Sequence, residues 1–134
     1  MSTLFYTAAD ESYEKFAPLY IYFTLRSNPE SYVEIGLEDS DRYVAENERQ
    51  LEILRELFGE RFKLTTVDFD GVLPSTVRWI TEPELADRCE YVYIGDIDIL
   101  IFDDDIEEQH LNNMAEYDAP FSNIIREDKQ TDGD

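Results

Sequence analysis

The chain has 134 residues, 43% of them hydrophobic, a length that fits one domain, since single domains commonly hold roughly 100–200 residues. With 32 Asp and Glu against 11 Lys and Arg the net charge is −21, which repels the phosphate backbone that dominates nucleic-acid affinity and argues against DNA, RNA and anionic membrane surfaces as partners. The one cysteine, Cys89, excludes an internal disulfide framework and a cysteine-based zinc site, and no stretch approaches the ~20 apolar residues that span a bilayer. The opening MSTLFYTAADES lacks a basic segment followed by a long apolar run, so the sequence predicts a cytoplasmic protein in a reducing compartment.

Leu4 to Thr7 form a short apolar run that predicts a strand, and the polar Asp10, Glu11 and Ser12 predict the loop that follows. A helix comes next. Phe16, Tyr20 and Phe23 recur at helical spacing, Pro18 suits the first turn, and Asn28-Pro29 supplies the stop. Val33, Ile35 and Leu37 alternate along a second strand, Tyr32 to Leu37, in which Gly36 marks an end or a close approach. After a polar loop from Glu38 to Arg42, Leu51, Leu54 and Phe58 lie on one face of a helix closed by Gly59.

Phe62 to Phe69 predicts a third strand. After a Gly71–Pro74 turn, Ser75 is placed to cap a helix carrying Val77, Arg78 and Ile80, and Tyr91 to Ile94 predicts a fourth strand. Asp105 is placed to cap a last helix with Ile106, His110, Met114 and Tyr117 on one face. Alternating strands and helices predict a single three-layer α/β/α domain over residues 1–125 with a mostly parallel, Rossmann-like sheet, followed by a polar tail, 126–134. In such sheets ligands collect at the carboxyl ends of the strands.

At the end of the fourth strand, YVYIGDIDILIF sets Asp96 and Asp98 between two apolar runs. Extended geometry would point both to one side. Neighbouring like charges need neutralising, and a hard divalent cation, Mg²⁺ or Mn²⁺, does so while leaving positions for the oxygens of a diphosphate. Gly95 would let backbone or ligand approach closely. Asp103 to Asp105 with Glu107 and Glu108 form a second acidic cluster without the alternation and turn glycine of a calcium loop, and helix capping explains it. Tyr20, Tyr22, Phe23 and Trp79 read as packing residues.

The run VYIGDIDILIF resembles the Asp-x-Asp strand of nucleotide-sugar glycosyltransferases of the GT-A superfamily, especially the retaining lipopolysaccharide-galactosyltransferase and glycogenin-like group. The opening FYTAADESY is similar to that group's first strand and nucleotide loop, Arg78 stands close to where the group has an arginine, and Ser27-Asn28-Pro29 resembles its exit from the first helix. The resemblance implies a GT-A fold in which Tyr6, Thr7, Asp10, Ser12, Arg78, Asp96 and Ile97 bind a nucleoside-diphosphate sugar, with a UDP-sugar the expected donor. Asp10 would meet the base, Arg78 the phosphates or sugar, and Asp96 and Asp98 the Mn²⁺ or Mg²⁺. Ser12 stands where the group more often has Asn. The implied reaction is sugar transfer to an acceptor hydroxyl on a saccharide or glycan. These enzymes are usually longer, and a later histidine completes their metal coordination; His110, on a predicted helix, does not match it. The expected correspondence is therefore to the nucleotide-binding half. Two alternatives stand beside this reading: a non-catalytic nucleotide-sugar or cation-binding module, and an acidic protein-interaction domain.

Overall fold

Seven consecutive residues, Thr3–Ala9, are all buried, which an extended segment achieves only when both of its faces and both of its edges are covered. This segment is β1. A computed structural model describes residues 2–101 and 104–122 and shows β1 flanked in one all-parallel sheet by β2 (Tyr32–Leu37) and β4 (Tyr91–Ile94), with β3 (Phe62–Thr66) outside β2. The helices are α1 (Ala17–Ser27), α2 (Ser40–Glu46), α3 (Glu48–Phe58), α4 (Pro74–Ile80) and α5 (Ile106–Tyr117). The predicted α/β architecture is therefore present. Two compact units divide the chain: Met1–Asp103 holds the sheet and α1 to α4, and Asp104–Asp134 holds α5.

Right-handed crossovers fix the layers. The path from β1 through β2 to β3 runs one way across the sheet and puts α1 to α3 on one face; the return from β3 to β4 runs the other way and puts α4 on the opposite face. Val33, Ile35 and Leu37 are fully buried, as their alternation predicts. Leu4 and Tyr6 pack on the α4 side against Leu85, just beyond α4. Truncating a fully buried residue such as Ile35 to Ala typically costs about 2–5 kcal/mol.

Four local expectations need correction. The core face of α1 is Ala17, Tyr20, Ile21, Thr24 and Leu25, rotated from the predicted Phe16, Tyr20 and Phe23 stripe. The supposed polar loop after β2 is largely helical: the Asp39 carboxylate accepts from the Arg42 amide at 3.1 Å and starts α2, which Tyr43 anchors in the core. β3 stops at Thr66, not Phe69, because the Asp68 side chain accepts from the Asp70 amide at 2.9 Å, and Asp70 and Gly71 take positive φ to turn the chain. The residue preceding α4 is Leu73, not Ser75, with Pro74 in the first turn. Gly36 meets its prediction, since a Cβ there would lie 2.7 Å from Val67 Cγ2. Gly59 ends α3 with a positive φ of 61°.

In the second unit α5 begins at Ile106, with the Asp105 carboxylate accepting from the Gln109 side-chain amide at 2.8 Å instead of capping the first turn. His110 Nδ1 lies 2.9 Å from Ser122 Oγ, and burial lowers its pKa. The predicted tail, with Phe102 and Asp103, lies outside the described residues. Among the described residues no helix is long and apolar enough to cross a membrane.

One buried charge ties α4 to the sheet. Glu34, 1% exposed on β2, accepts from the backbone amides of Glu84 at 2.9 Å and Leu85 at 2.8 Å, and the Thr65 hydroxyl donates to it at 3.4 Å. Nearby, Tyr6 Oη and Thr81 Oγ1 are 2.6 Å apart, and Thr81 Oγ1 donates to the Val77 carbonyl at 2.8 Å. The C-terminal end of α4 is thereby pinned at two places. Each buried N–H stripped of its acceptor costs about 1–3 kcal/mol. Glu34→Ala should lower unfolding free energy by about 3 kcal/mol and Glu34→Gln, which keeps one acceptor oxygen, by about half of that. Urea denaturation checks this, and a Glu34→Ala protein as stable as the parent would show that the carboxylate does not hold the segment.

Candidate functional site at the ends of β1 and β4

The sheet reverses its winding between β1 and β4. From β1 the chain goes to β2 on one side, and it returns to β4 on the other. Loops leaving two such strands diverge, and the crevice between them is where open α/β sheets bind ligands. Tyr6 pairs with Ile94 in register, so the chain leaves β1 through Asp10 and leaves β4 through Gly95 and Asp96 at the same edge of the sheet.

The exit from β1 is a tight, pre-set loop. Asp10 Oδ1 accepts from the amides of Ser12 at 3.0 Å and Tyr13 at 3.1 Å, and the Asp10 carbonyl accepts from Tyr13 and Glu14. The Glu11 amide donates to Glu38 Oε1 at 2.8 Å, which ties this loop to the exit of β2. Glu14 accepts both of its bonds from Arg42 Nη2, at 3.0 and 2.7 Å, and fixes the loop to α2. Sequence reasoning missed Glu38, Glu14 and Arg42, whose spacing carries no motif.

The exit from β4 differs from the extended strand predicted. β4 ends at Ile94, and Asp96 to Ile99 form a turn closed by the Ile99 amide donating to the Asp96 carbonyl at 3.2 Å. Ile97 is buried, so it anchors the turn and leaves Asp96 and Asp98 exposed on either side of it. The expected extended pair is thus a turn pair, and Ile97 offers its side chain to the core, not to a ligand. Gly95 is needed for protein packing: a Cβ there would sit 2.9 Å from Tyr93 Cε1.

The charge on Asp96 has a partner within the protein. Arg78 Nη1 donates to Asp96 Oδ1 in an ion pair, with the arginine side chain only 14% exposed and the aspartate side chain 47%. The structure therefore brings together two of the residues singled out in the sequence. Arg78 extends from α4, whose adjacent Val77 is buried and whose end is pinned through Thr81 and Glu34. Trp79, expected to pack, is 61% exposed because α4 turns Val77 inward and Trp79 and Ile80 outward.

The other predicted residues are placed less openly. Tyr6 is buried with its hydroxyl engaged by Thr81, and Thr7 is fully buried. Ser12 is exposed on the loop. On the α1 side, Tyr20 is fully buried and the Tyr93 ring packs on Phe5 with centroids 5.1 Å apart. Burial raises the pKa of Tyr20 far above the usual phenol range, with Tyr93 and Asp96 adding to it and Arg78 opposing; burial and then Asp96 raise that of Tyr93. Both phenols stay protonated at neutral pH.

Asp96 and Asp98 offer hard oxygen ligands, and no cluster of three or more metal-ligating side chains occurs among the described residues. A cleft of about 390 Å³ lies elsewhere, over β2 and β3, between Glu34, Lys63, Thr65, Glu82 and Glu84. Two of its charges are matched within the protein, Glu34 by backbone amides and Lys63 by Glu84 at 3.0 Å. No family model matches the chain, and no curated protein matches it.

Removing the Asp96 charge strands a nearly buried guanidinium, whereas Asp98 forms no ion pair among the described residues. Asp96→Asn should cost about 1–2 kcal/mol, between the values for exposed and buried pairs. Asp98→Asn should leave stability within about 0.5 kcal/mol. Equal losses for the two variants in urea denaturation would mean that Arg78 does not depend on Asp96.

Proposed function

We propose that the protein is a glycosyltransferase-type domain that binds a metal-held nucleoside-diphosphate sugar, with a UDP-sugar the first candidate, and transfers the sugar to an acceptor hydroxyl. The observation that carries this reading is the Arg78–Asp96 ion pair set where β1 and β4 diverge. It is a site with both signs of charge, one for phosphate oxygens and one for a cation. The Asp-x-Asp resemblance of residues 92–102 supports the same chemistry.

The residues fit Mn²⁺ or Mg²⁺. Two exposed carboxylates, Asp96 and Asp98, suit a hard cation that is commonly held by one or two carboxylates plus substrate phosphates and water. When bound, the cation supplies charge stabilisation for the departing diphosphate. The protein's own part is an exchange of partners: Arg78 leaves Asp96 for phosphate oxygens, and Asp96 becomes available as a cation ligand. One internal pair gives way to two pairs with ligand, so no charge is left uncompensated. Asp10, in the loop that follows β1, would meet the base.

Because either ligand alone must break the same internal pair, nucleotide and cation should help each other. UDP is expected to bind about tenfold or more tightly with Mn²⁺ than without it, and Mn²⁺ more tightly with UDP by the same factor. Calorimetric titration of UDP-, GDP-, CDP- and dTDP-sugars with and without Mn²⁺ tests this; independent binding of the two would remove the exchange. Asp98→Asn should abolish metal-dependent binding while the thermal midpoint stays near the parent's, and Arg78→Ala should weaken UDP-sugar binding more than uridine binding. Release of nucleoside diphosphate with and without acceptor saccharides separates transfer from binding without turnover.

A further inference from the structure

The cleft over β2 and β3 gathers hydrogen-bonding groups that the fold does not fully use. On this side of the sheet α4 packs on β1, and the segment that follows it, Thr81 to Leu85, crosses to Glu34 on β2. Tyr6, Glu34 and Lys63 pair in register across β1, β2 and β3, so their side chains share that face. Beyond the crossing segment, Glu34, Lys63 and Thr65 line the cleft of about 390 Å³. Ligand pockets commonly hold about 300–1,000 Å³, so this one suits a small ligand.

Its polar groups divide into those the fold occupies and those it leaves open. Glu34 is occupied, since it accepts from two amides and the Thr65 hydroxyl. Ser40 Oγ and Thr66 Oγ1 lie 2.7 Å apart, and Thr66 Oγ1 also accepts from the Ser40 amide at 3.0 Å. One hydroxyl proton serves that pair, so a second O–H remains, although Ser40 is buried. Lys63 Nζ meets Glu84 Oε2 at 3.0 Å, which leaves the other ammonium donors and the other carboxylate oxygen open. The Glu82 carboxylate, also lining the cleft, has no ion pair or hydrogen bond among the described residues.

This set of groups excludes most classes of ligand. Three glutamates against one lysine repel an anion. An apolar ligand would strip water from the lysine and the carboxylates without replacing it. Among the described residues no group of three or more acidic, histidine or cysteine side chains is placed to hold a metal ion. An amine offers donors alone, so it would compete with Lys63 for carboxylate oxygens and leave the ammonium and the remaining O–H unmatched. A hydroxyl both donates and accepts. Two hydroxyls on neighbouring ring carbons match Lys63 and Glu84 where they stand side by side, one accepting from the ammonium and the other donating to the carboxylate. Val67, packed over Gly36, adds an apolar surface for the C–H groups of such a ring.

We infer that this cleft is a binding site for an uncharged polyhydroxylated ligand of about one or two sugar rings, read out by Lys63 and Glu84 and separate from the site at the ends of β1 and β4. It does not depend on the nucleotide reading of that other site.

An NMR titration of ¹⁵N-labelled protein with maltose, lactose and mannobiose, and in separate arms with sorbitol and spermidine, tests this. At least one disaccharide should shift the amide resonances of Lys63, Thr65, Thr66 and Glu84 saturably. Lys63→Ala, at a side chain 46% exposed, should unfold at the parent's temperature and bind that disaccharide about tenfold more weakly, as expected for losing a hydrogen bond to a charged group. Glu84→Gln, which keeps its backbone amide and an acceptor oxygen, should fall between the two. Saturation by sorbitol as tight as by any disaccharide overturns the ring and keeps the polyhydroxyl site. Shifts with spermidine alone overturn the proposal in favour of an amine. No saturable shift at those residues with any disaccharide or with sorbitol, or parent-like affinity in Lys63→Ala, overturns it outright.

Discussion

A strand buried on both faces and paired along both edges dictates most of what surrounds it. β1 has no solvent side, so its neighbours must supply two hydrogen-bonding partners and two packing layers, and parallel partners can be reached only through crossovers. The handedness of those crossovers then sends α4 to the face that α1 does not cover. The crevice between β1 and β4 follows from this arrangement, because it is the place where one chain direction gives way to the other.

Within that frame α4 works as a short lever with a fixed end. It is seven residues long, too short to be stable alone, and gains its position from Pro74 at its start, Val77 in the core and the Tyr6–Thr81 and Glu34–Leu85 contacts beyond its end. Arg78 inherits that rigidity along its backbone, and its head group pairs with Asp96.

The elements with continuous apolar runs were legible in the sequence: β1, β2 and β4 fall where hydrophobic runs bounded by turn residues predict them, and α3 follows its Leu51 and Leu54 stripe to Gly59. Two of the errors share a cause. α2 depends on an aspartate cap and one buried tyrosine, and β3 is cut short by an Asp68 side chain, so short polar residues acting on the backbone outweighed the apolar pattern. At the site, Asp96 and Arg78 were legible as residues but not as partners, since pairing them requires the crossover. Tyr20 was legible as core, and it is fully buried.

The outward face of α4 has a different consequence. Leu73, just before α4, and Trp79 and Ile80 on it are 70%, 61% and 69% exposed, apolar side chains left in solvent on a protein whose net charge is −21. In dilute buffer mutual repulsion between molecules acts over a screening length of about 30 Å at 0.01 M salt, which shrinks to about 3 Å at 1 M. These apolar side chains then come within contact range before the charges of two molecules oppose each other. Colloidal stability should therefore fall as ionic strength rises, the reverse of the salting-in familiar for weakly charged proteins, and purification at low salt keeps the exposed indole of Trp79 solvated.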